Sequence, residues 1–311
     1  MDEQTKVAIL AITVIIPILS LLVWNSDQAI ISASSDSTQI TVIASFYPLY
    51  EFTKQVGKEK VEVLLLVPPG VEPHDWEPTI TDLQKMLQSS LIVINGIGFE
   101  NWVDDINTVN SKVMVVDTSE GISLISDSFF QKDENKHHDD YSLADPHIWL
   151  NPLMAKIQVS NIADALLQID PNNKIFYQEN AKSYISKLEQ LDEKIKNELS
   201  TCKKDFITFH KAFSYFAVQY ELNQHTIINS NNPNIEPTSK TLVEIINLAK
   251  NSGINVIFTE EAVDVRTSEV IATEIGARVL VLSTMEIMNE NSNYIMKMEN
   301  NLSNLKEALC T

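Results

Sequence analysis

The 311-residue chain has few cysteines and few basic residues, and each shortage argues against a class of function. Its two cysteines, Cys202 and Cys310, match no thiolate zinc motif, since such motifs need paired cysteines at short spacing. Lysine and arginine number 23 against 42 acidic residues, and the net charge of −19 repels phosphate backbones, so we expect no nucleic-acid partner. His-Glu-x-x-His, Ser-His-Asp and phosphate-loop signatures are absent from the sequence, which disfavours enzymatic turnover.

An apolar run of 18 residues, 7–24, lies near the start of the sequence. As a helix it would reach about 27 Å, enough to cross a bilayer, and it equally suits a secretion signal. The polar stretch after it predicts a tether, so we assign residues 1–39 to a signal or anchor segment with its tether. The protein is then exported and either held at the extracellular face of the membrane by residues 7–24 or released after signal cleavage. An oxidising compartment also predicts a Cys202–Cys310 disulfide.

From residue 40 onward, short β-rich runs alternate with amphipathic helical segments, a pattern typical of α/β units around a parallel sheet. Residues 171–200 contain no glycine and carry apolar residues at helical spacing, which predicts one helix of about 40 Å. The predicted class is α/β, with two β/α lobes, each around a four-stranded, mainly parallel sheet, joined by one long backbone helix. The domains are an N-terminal lobe at 40–170, the connecting helix at 171–200 and a C-terminal lobe at 201–311.

Two histidines lie in a repeated motif, Pro-His-x-Trp, followed each time by a second proline. The copies are Pro73-His74-Asp75-Trp76 and Pro146-His147-Ile148-Trp149. Prolines keep the backbone out of a helix and narrow the conformations open to the histidine, which suits a metal ligand as well as a packed turn. His210 directly follows the predicted strand 206–209, and open α/β sheets bind ligands at that edge. In a two-lobed fold we expect these three histidines to face one another.

The segments that carry the three histidines, residues 68–79, 145–152 and 209–216, resemble the zinc and manganese substrate-binding proteins of ABC importers. The resemblance covers residues 40–309 in consistent order. It implies that His74, His147 and His210 bind a metal ion between the two lobes.

The resemblance also implies an acidic fourth ligand. Glu286 matches the glutamate of the family's pattern after the last strand, although Ser283 stands where the family usually has an aspartate. Glu260, Glu261, Ser283 or a water molecule are the alternatives. Three imidazoles and one carboxylate favour zinc over manganese or iron, because Mn²⁺ prefers more oxygen ligands.

The remaining histidines are given smaller roles. His137 and His138 stand where the family has a histidine-rich loop, and we interpret them as solvated residues or as a weak metal-gathering pair. His225, before a predicted strand at 226–228, is interpreted as structural.

The resemblance implies capture and delivery of a metal ion without chemical turnover. The exported domain would bind one divalent ion, zinc or alternatively manganese or iron, and hand it to an ABC permease driven by a cytoplasmic ATPase. We expect a monomer that is not an enzyme. The rival interpretations are a zinc-dependent hydrolase, with water at an open metal position, and a two-lobed receptor for a metal chelate or corrinoid. A surface adhesin role is compatible with each of them.

Overall fold

The computed structural model describes residues 39–104, 106, 113–125, 144–261, 263–288 and 292–310. The predicted signal or anchor segment and the loop with His137 and His138 lie outside these residues. Within the described part, we find no helix that is both long and apolar enough to cross a membrane.

Two four-stranded parallel sheets form the frame of the molecule, and both have the same strand order. The first sheet runs β2-β1-β3-β4, with strands Ile40–Ala44 (β1), Val61–Leu65 (β2), Leu91–Ile94 (β3) and Met114–Asp117 (β4). The second runs β6-β5-β7-β8, with strands Asp205–Thr208 (β5), Asn223–Thr226 (β6), Val256–Thr259 (β7) and Arg278–Val281 (β8). The predicted class of two β/α lobes is therefore confirmed.

The helices pack around these sheets, and four of those in the described residues begin at a side-chain cap. The Thr79 hydroxyl accepts from the backbone N–H of Asp82, and the Thr79 backbone N–H donates to the Asp82 carboxylate in return, which is a capping box. Asn151 caps another helix start by accepting the backbone N–H groups of Leu153 and Met154 with its side-chain oxygen. In chain order the helices are Tyr47–Gly57 (α1), Ile80–Gln88 (α2), Pro152–Ile169 (α3), Lys174–Leu199 (α4), Ser214–Gln219 (α5), Ser239–Ser252 (α6), Arg266–Ile275 (α7) and Tyr294–Leu309 (α8).

The long helix α4 has 26 residues, about 39 Å at the usual rise, and connects the two lobes. A buried stripe that includes Leu188, Leu191 and Ile195 faces α3, α1 and α8. The helix is shorter at its start than predicted, because Pro171–Asn173 form a separate 3-10 turn. The carboxylate of Asp170, just before this turn, accepts from the side chains of Asn173 and Tyr177.

The two lobes share one continuous core at the base of the cleft between them. Phe46 and Trp149 of the first lobe belong to the same buried cluster as Phe213 and Met285 of the second. Hydrogen bonds cross at this level too: the Tyr215 hydroxyl donates to the Asp145 carbonyl at 2.7 Å. Since packed cores do not deform continuously, this base restricts wide rotation of one lobe against the other.

The strand predicted at 226–228 is wrong in position, because the structure has the edge strand β6 at Asn223–Thr226. Its sequence, Asn223–Thr226, is polar, and an edge strand tolerates polar residues because one side is open. Ile227 and Ile228 lie beyond the strand and are buried, so their apolar character reflects packing after the strand end. His225 lies in β6 and bonds Asp205 at 2.9 Å, in agreement with its structural interpretation.

The predicted Cys202–Cys310 disulfide is present. It joins the residue after α8 to the turn that follows α4, and it closes a loop with a sequence separation of 108. A disulfide that closes a loop of this length restricts the unfolded chain, and by this effect stabilises the fold by about 4–5 kcal/mol.

Candidate metal centre

The three predicted histidines converge on one point between the lobes. His74 Nε2 lies 3.1 Å from His147 Nε2, which lies 3.3 Å from His210 Nε2. The ring centroids are 5.1, 5.2 and 5.9 Å apart. His147 and His210 are fully buried, and the side chain of His74 is 7% exposed. Residues separated by more than 130 positions in the sequence thus meet in a space that suits a single ion.

His74 and His147 are oriented by the same local device. The carboxylate two residues before each histidine accepts hydrogen bonds from the backbone N–H and from the ring Nδ1 of that histidine. In the first copy Glu72 accepts from His74, with 2.5 Å to Nδ1. In the second copy Asp145 accepts from His147, with 2.7 Å to Nδ1. The intervening proline fixes φ and brings the acid back toward the ring, so the acid, proline and histidine act as one unit.

His210 obtains the same kind of partner from a different strand. Glu260, directly after β7, accepts from the His210 backbone at 3.1 Å and from its Nδ1 at 2.5 Å. Because β5 and β7 are parallel neighbours, their carboxyl ends lie side by side and bring the two residues together.

The three carboxylates decide which ring nitrogen faces the cleft with a lone pair. A neutral imidazole that donates its Nδ1 proton to a carboxylate carries the lone pair on Nε2. Three such lone pairs then point at one another and repel unless a cation lies between them. Four-coordinate zinc with bonds near 2.0–2.1 Å holds its nitrogens roughly 3.3 Å apart, which matches both Nε2 separations.

A carboxylate oxygen completes the cluster from the second lobe. Glu286 Oε1 lies 3.9 Å from His147 Nε2 and 3.8 Å from His74 Nδ1, and Glu286 is 4% exposed. Thr284 Oγ1 donates to the other oxygen, Oε2, at 2.6 Å. Oε1 is buried without a hydrogen-bond partner in the described residues, and a buried polar atom of that kind is costly unless something binds it. A cation among the three histidines fits this position.

The loop that carries Glu286 is held from both lobes. Trp149 of the second Pro-His-x-Trp copy donates its indole N–H to the Thr284 carbonyl at 2.8 Å. Met285 has a φ of 67°, a left-handed conformation that is uncommon for a side chain of its size. Lys297 donates to the carbonyl of Ile287 at 2.8 Å. The surrounding structure therefore fixes Glu286 in a strained turn.

The alternative fourth ligands have other partners. Both oxygens of Glu260 accept from His210. Glu261 forms an ion pair with Lys297 at 3.0 Å and accepts the Ser283 hydroxyl at 2.8 Å. Among the acids named from the sequence, Glu286 is the one that presents a free oxygen to the histidines.

Burial and neighbouring charges shift the pKa values of the ionisable groups in the site in different directions. Burial lowers the pKa of His147 to about 4, against the opposing charge of Asp145. Burial and the charge of Glu72 raise the pKa of Glu286 to about 8. Burial also acts to raise the pKa of Asp145 and of Glu72, but the hydrogen bonds and charges of their histidine partners outweigh it and lower both pKa values. Asp145 and Glu72 are thus ionised acceptors, and His147 is a neutral donor of its Nε2 lone pair.

A family model described as "Zinc-uptake complex component A periplasmic", ZnuA, matches residues 42–308. The chain belongs to the ZnuA family. It is 38% identical to the high-affinity zinc uptake system protein ZnuA of Bacillus subtilis over 293 residues, covering 89% of this chain and 90% of that protein. The resemblance drawn from the sequence is thereby confirmed.

Two solved structures of related proteins share the fold. The Zn(II)-bound ZnuA-like domain of AdcA from Streptococcus pneumoniae is 32% identical, with a TM-score of 0.74, and the match covers 87% of this chain and 98% of that one. The laminin-binding protein Lmb of Streptococcus agalactiae, described as having adhesin and metal-transporting activity, is 30% identical with a TM-score of 0.78, covering 87% and 99%. The AdcA of Streptococcus pyogenes is longer, and the chain spans 56% of it.

The role of the three carboxylates that bond the Nδ1 atoms was not predicted from the sequence. For Glu72 and Asp145 a signal was present, because both motif copies read acid-Pro-His. For Glu260 the sequence contains no local signal, since its histidine lies 50 residues away.

Proposed function

We propose that this ZnuA-family chain binds one Zn²⁺ ion through His74, His147, His210 and Glu286 and delivers it to an ABC permease for import. The observation that carries the proposal is the convergence of three Nε2 lone pairs, each set by a carboxylate on Nδ1, beside an unpartnered buried oxygen. Since four protein donors would fill the coordination sphere of the zinc ion and leave no open position for water, the proposed activity is capture and release without turnover.

Zinc is the ion that the donor set favours. Three nitrogens and one carboxylate suit four-coordinate Zn²⁺, whereas Mn²⁺ prefers more oxygen donors. The names of the relatives support the same metal, because both the family description and the Bacillus subtilis protein refer to zinc uptake. Manganese and iron are the competing ions to be tested.

The place of action that we propose is the outer face of the membrane. The apolar segment 7–24 would export the chain and, if retained, anchor it, and the Cys202–Cys310 disulfide suits an oxidising compartment. The family's description as a component of a complex supports delivery to a permease with its ATPase. Protons compete with the metal for the ligands, so acid favours release.

The test is calorimetric titration with Zn²⁺, Mn²⁺ and Fe²⁺, together with elemental analysis of the protein purified without added metal. We expect one zinc per chain at sub-micromolar dissociation constant and a loss of about 100-fold or more in His147→Ala, because the loss of outer partners alone costs 10–100-fold in metal sites. His225→Ala, a histidine outside the site, is the matched control and should bind normally. Zinc binding weaker than micromolar, or unchanged binding in His147→Ala, would overturn the proposal.

Delivery needs a separate assay. In proteoliposomes that contain the cognate permease and its ATPase, the zinc-loaded protein should stimulate ATP hydrolysis and the His147→Ala variant should not. Equal stimulation by both forms would contradict metal delivery.

A further inference from the structure

A polar contact at the mouth of the cleft joins the lobes next to the candidate metal centre. Asp75 of the first lobe accepts from two asparagine side chains of the second lobe, one on each carboxylate oxygen. Asn232 Nδ2 donates to Oδ1 at 2.9 Å, and Asn234 Nδ2 donates to Oδ2 at 2.7 Å. A side-chain amide oxygen in either position would face a carboxylate, so the hydrogen-bonding pattern requires the NH₂ groups there.

Both ends of this contact lead directly to a histidine of the centre. Asp75 follows His74 in the 3-10 turn Pro73–Asp75. On the other side, Asn232 donates its backbone N–H to the Ser230 hydroxyl at 3.1 Å. The carbonyl of Ser230 in turn accepts the backbone N–H of the residue after His210 at 3.0 Å. The contact thus links the loops of two ligands that come from different lobes.

Both loops carry restraints of their own that do not involve this contact. Pro73 restrains the turn that carries Asp75, and Pro233 lies between the two asparagines. Asn232 Oδ1 accepts the backbone N–H of Asn234 at 2.8 Å, so the second loop is closed on itself. Little conformational entropy is therefore lost when the carboxylate and the two amides meet.

His74 is the ligand for which such a contact has most effect. His147 and His210 have fully buried side chains, whereas the His74 side chain is 7% exposed and Asp75 lies at the surface. With the base of the cleft locked by a shared core, an ion can leave when the His74 loop moves outward. A contact that ties this loop to the second lobe opposes that movement.

We propose that Asp75 is a positioning residue that, through Asn232 and Asn234, holds the His74 loop closed and sets the rate of metal release. The inference rests on the proposed function, since it concerns the same ion. The contact lies outside the coordination sphere, so its loss changes the rate at which the loop opens and leaves the ligands in place.

The test is stopped-flow measurement of zinc association and of zinc release to an excess of chelator. Two hydrogen bonds to a charged acceptor at an exposed position should slow release by about tenfold. We expect Asp75→Ala and the double variant Asn232→Ala/Asn234→Ala each to release zinc about tenfold faster with unchanged association, and the triple variant to be no faster than either.

The matched control is Glu77→Ala, which removes an exposed negative charge from the same loop and should leave the release rate unchanged. An unchanged release rate in Asp75→Ala would overturn the inference while the proposed function stands. Equal acceleration of release in Glu77→Ala would show that any lost negative charge has the same effect. Additive effects in the triple variant would show that Asp75 and the asparagines act independently. Either result would also overturn the inference. Failure of the unaltered protein to bind zinc would instead refute the proposed function.

Discussion

The two Pro-His-x-Trp copies have the same histidine geometry but lie in different surroundings. In the second copy His147 and Trp149 are fully buried, and Trp149 bonds across the cleft to the Thr284 carbonyl. In the first copy His74 is partly exposed, and Trp76 packs within its own lobe against Trp102, with ring centroids 6.3 Å apart. The difference shows that one sequence motif serves two mechanical roles. The buried copy fixes the base of the site, and in the release step proposed above the surface copy forms its movable side.

The loop of the second copy is held in place through a buried acid, Glu100. We expect the stability of this region to depend on pH for that reason. Glu100 accepts from the Ser45 hydroxyl and from the backbone of Asn95 and Gly96, and Asn95 donates its side-chain amide to the Pro146 carbonyl at 2.9 Å. Burial raises the pKa of Glu100 from 4.5 to about 7. Between these values the folded protein keeps a proton that the unfolded chain has released, so a rise in pH through this window destabilises the fold, by on the order of 3 kcal/mol.

The largest expected effect is measured with Glu100→Gln by urea unfolding of the metal-free protein from pH 4.5 to 8. The variant lacks the titrating carboxyl group. The difference in unfolding free energy, unaltered protein minus variant, should therefore fall by on the order of 3 kcal/mol as the pH rises to 7 and change little above pH 8. A difference that is independent of pH, or that grows with pH, would contradict the assignment of this burial effect to Glu100.

The second prediction compares the two carboxylates, Glu72 and Asp145, that bond the Nδ1 atoms of the histidines in the two copies. Substitution of an outer partner of a metal-binding histidine costs about 10–100-fold in affinity. Asp145→Asn should lie near the upper end, because the Asp145 side chain is 1% exposed and bulk solvent has almost no access to the lost bond. Glu72→Gln should lie near the lower end, because the Glu72 side chain is 15% exposed. Zinc competition titrations against a chelator measure both, and a larger loss in Glu72→Gln would reverse the roles of the two copies.

The smallest effect concerns the two tryptophans. Trp149→Phe removes the donor to a buried carbonyl and should lower the unfolding free energy by about 1–3 kcal/mol. Trp76→Phe keeps an aromatic ring at a partly buried position and should cost less than about 1 kcal/mol. Denaturant unfolding of the metal-free variants provides the comparison, and equal losses would show that the bond from Trp149 to the Thr284 loop does not distinguish the copies.

Local patterns in the sequence predict much of this molecule. The strand and helix order follows from apolar periodicity, and the absence of glycine predicts the long helix α4, although Pro171 separates its first turn. The prolines beside His74 and His147 mark the two loops as rigid. The disulfide follows from the predicted export to an oxidising compartment.

Features that depend on tertiary packing are harder to predict. The bond between Glu260 and His210 arises from neighbouring parallel strands, and no spacing in the sequence encodes it. The same holds for the Asp75 contact with Asn232, whose partners are 157 positions apart. The polar strand β6 was displaced in the prediction because an edge position permits a composition that otherwise indicates a loop.

The most direct test of the account is a crystal structure of the zinc-loaded protein with anomalous data at the zinc edge. We expect one ion within about 2.0–2.2 Å of the Nε2 atoms of His74, His147 and His210 and of one Glu286 oxygen, with each Nδ1 still bonded to its carboxylate. An ion bound through an Nδ1 atom, or bound away from this cleft, would contradict it.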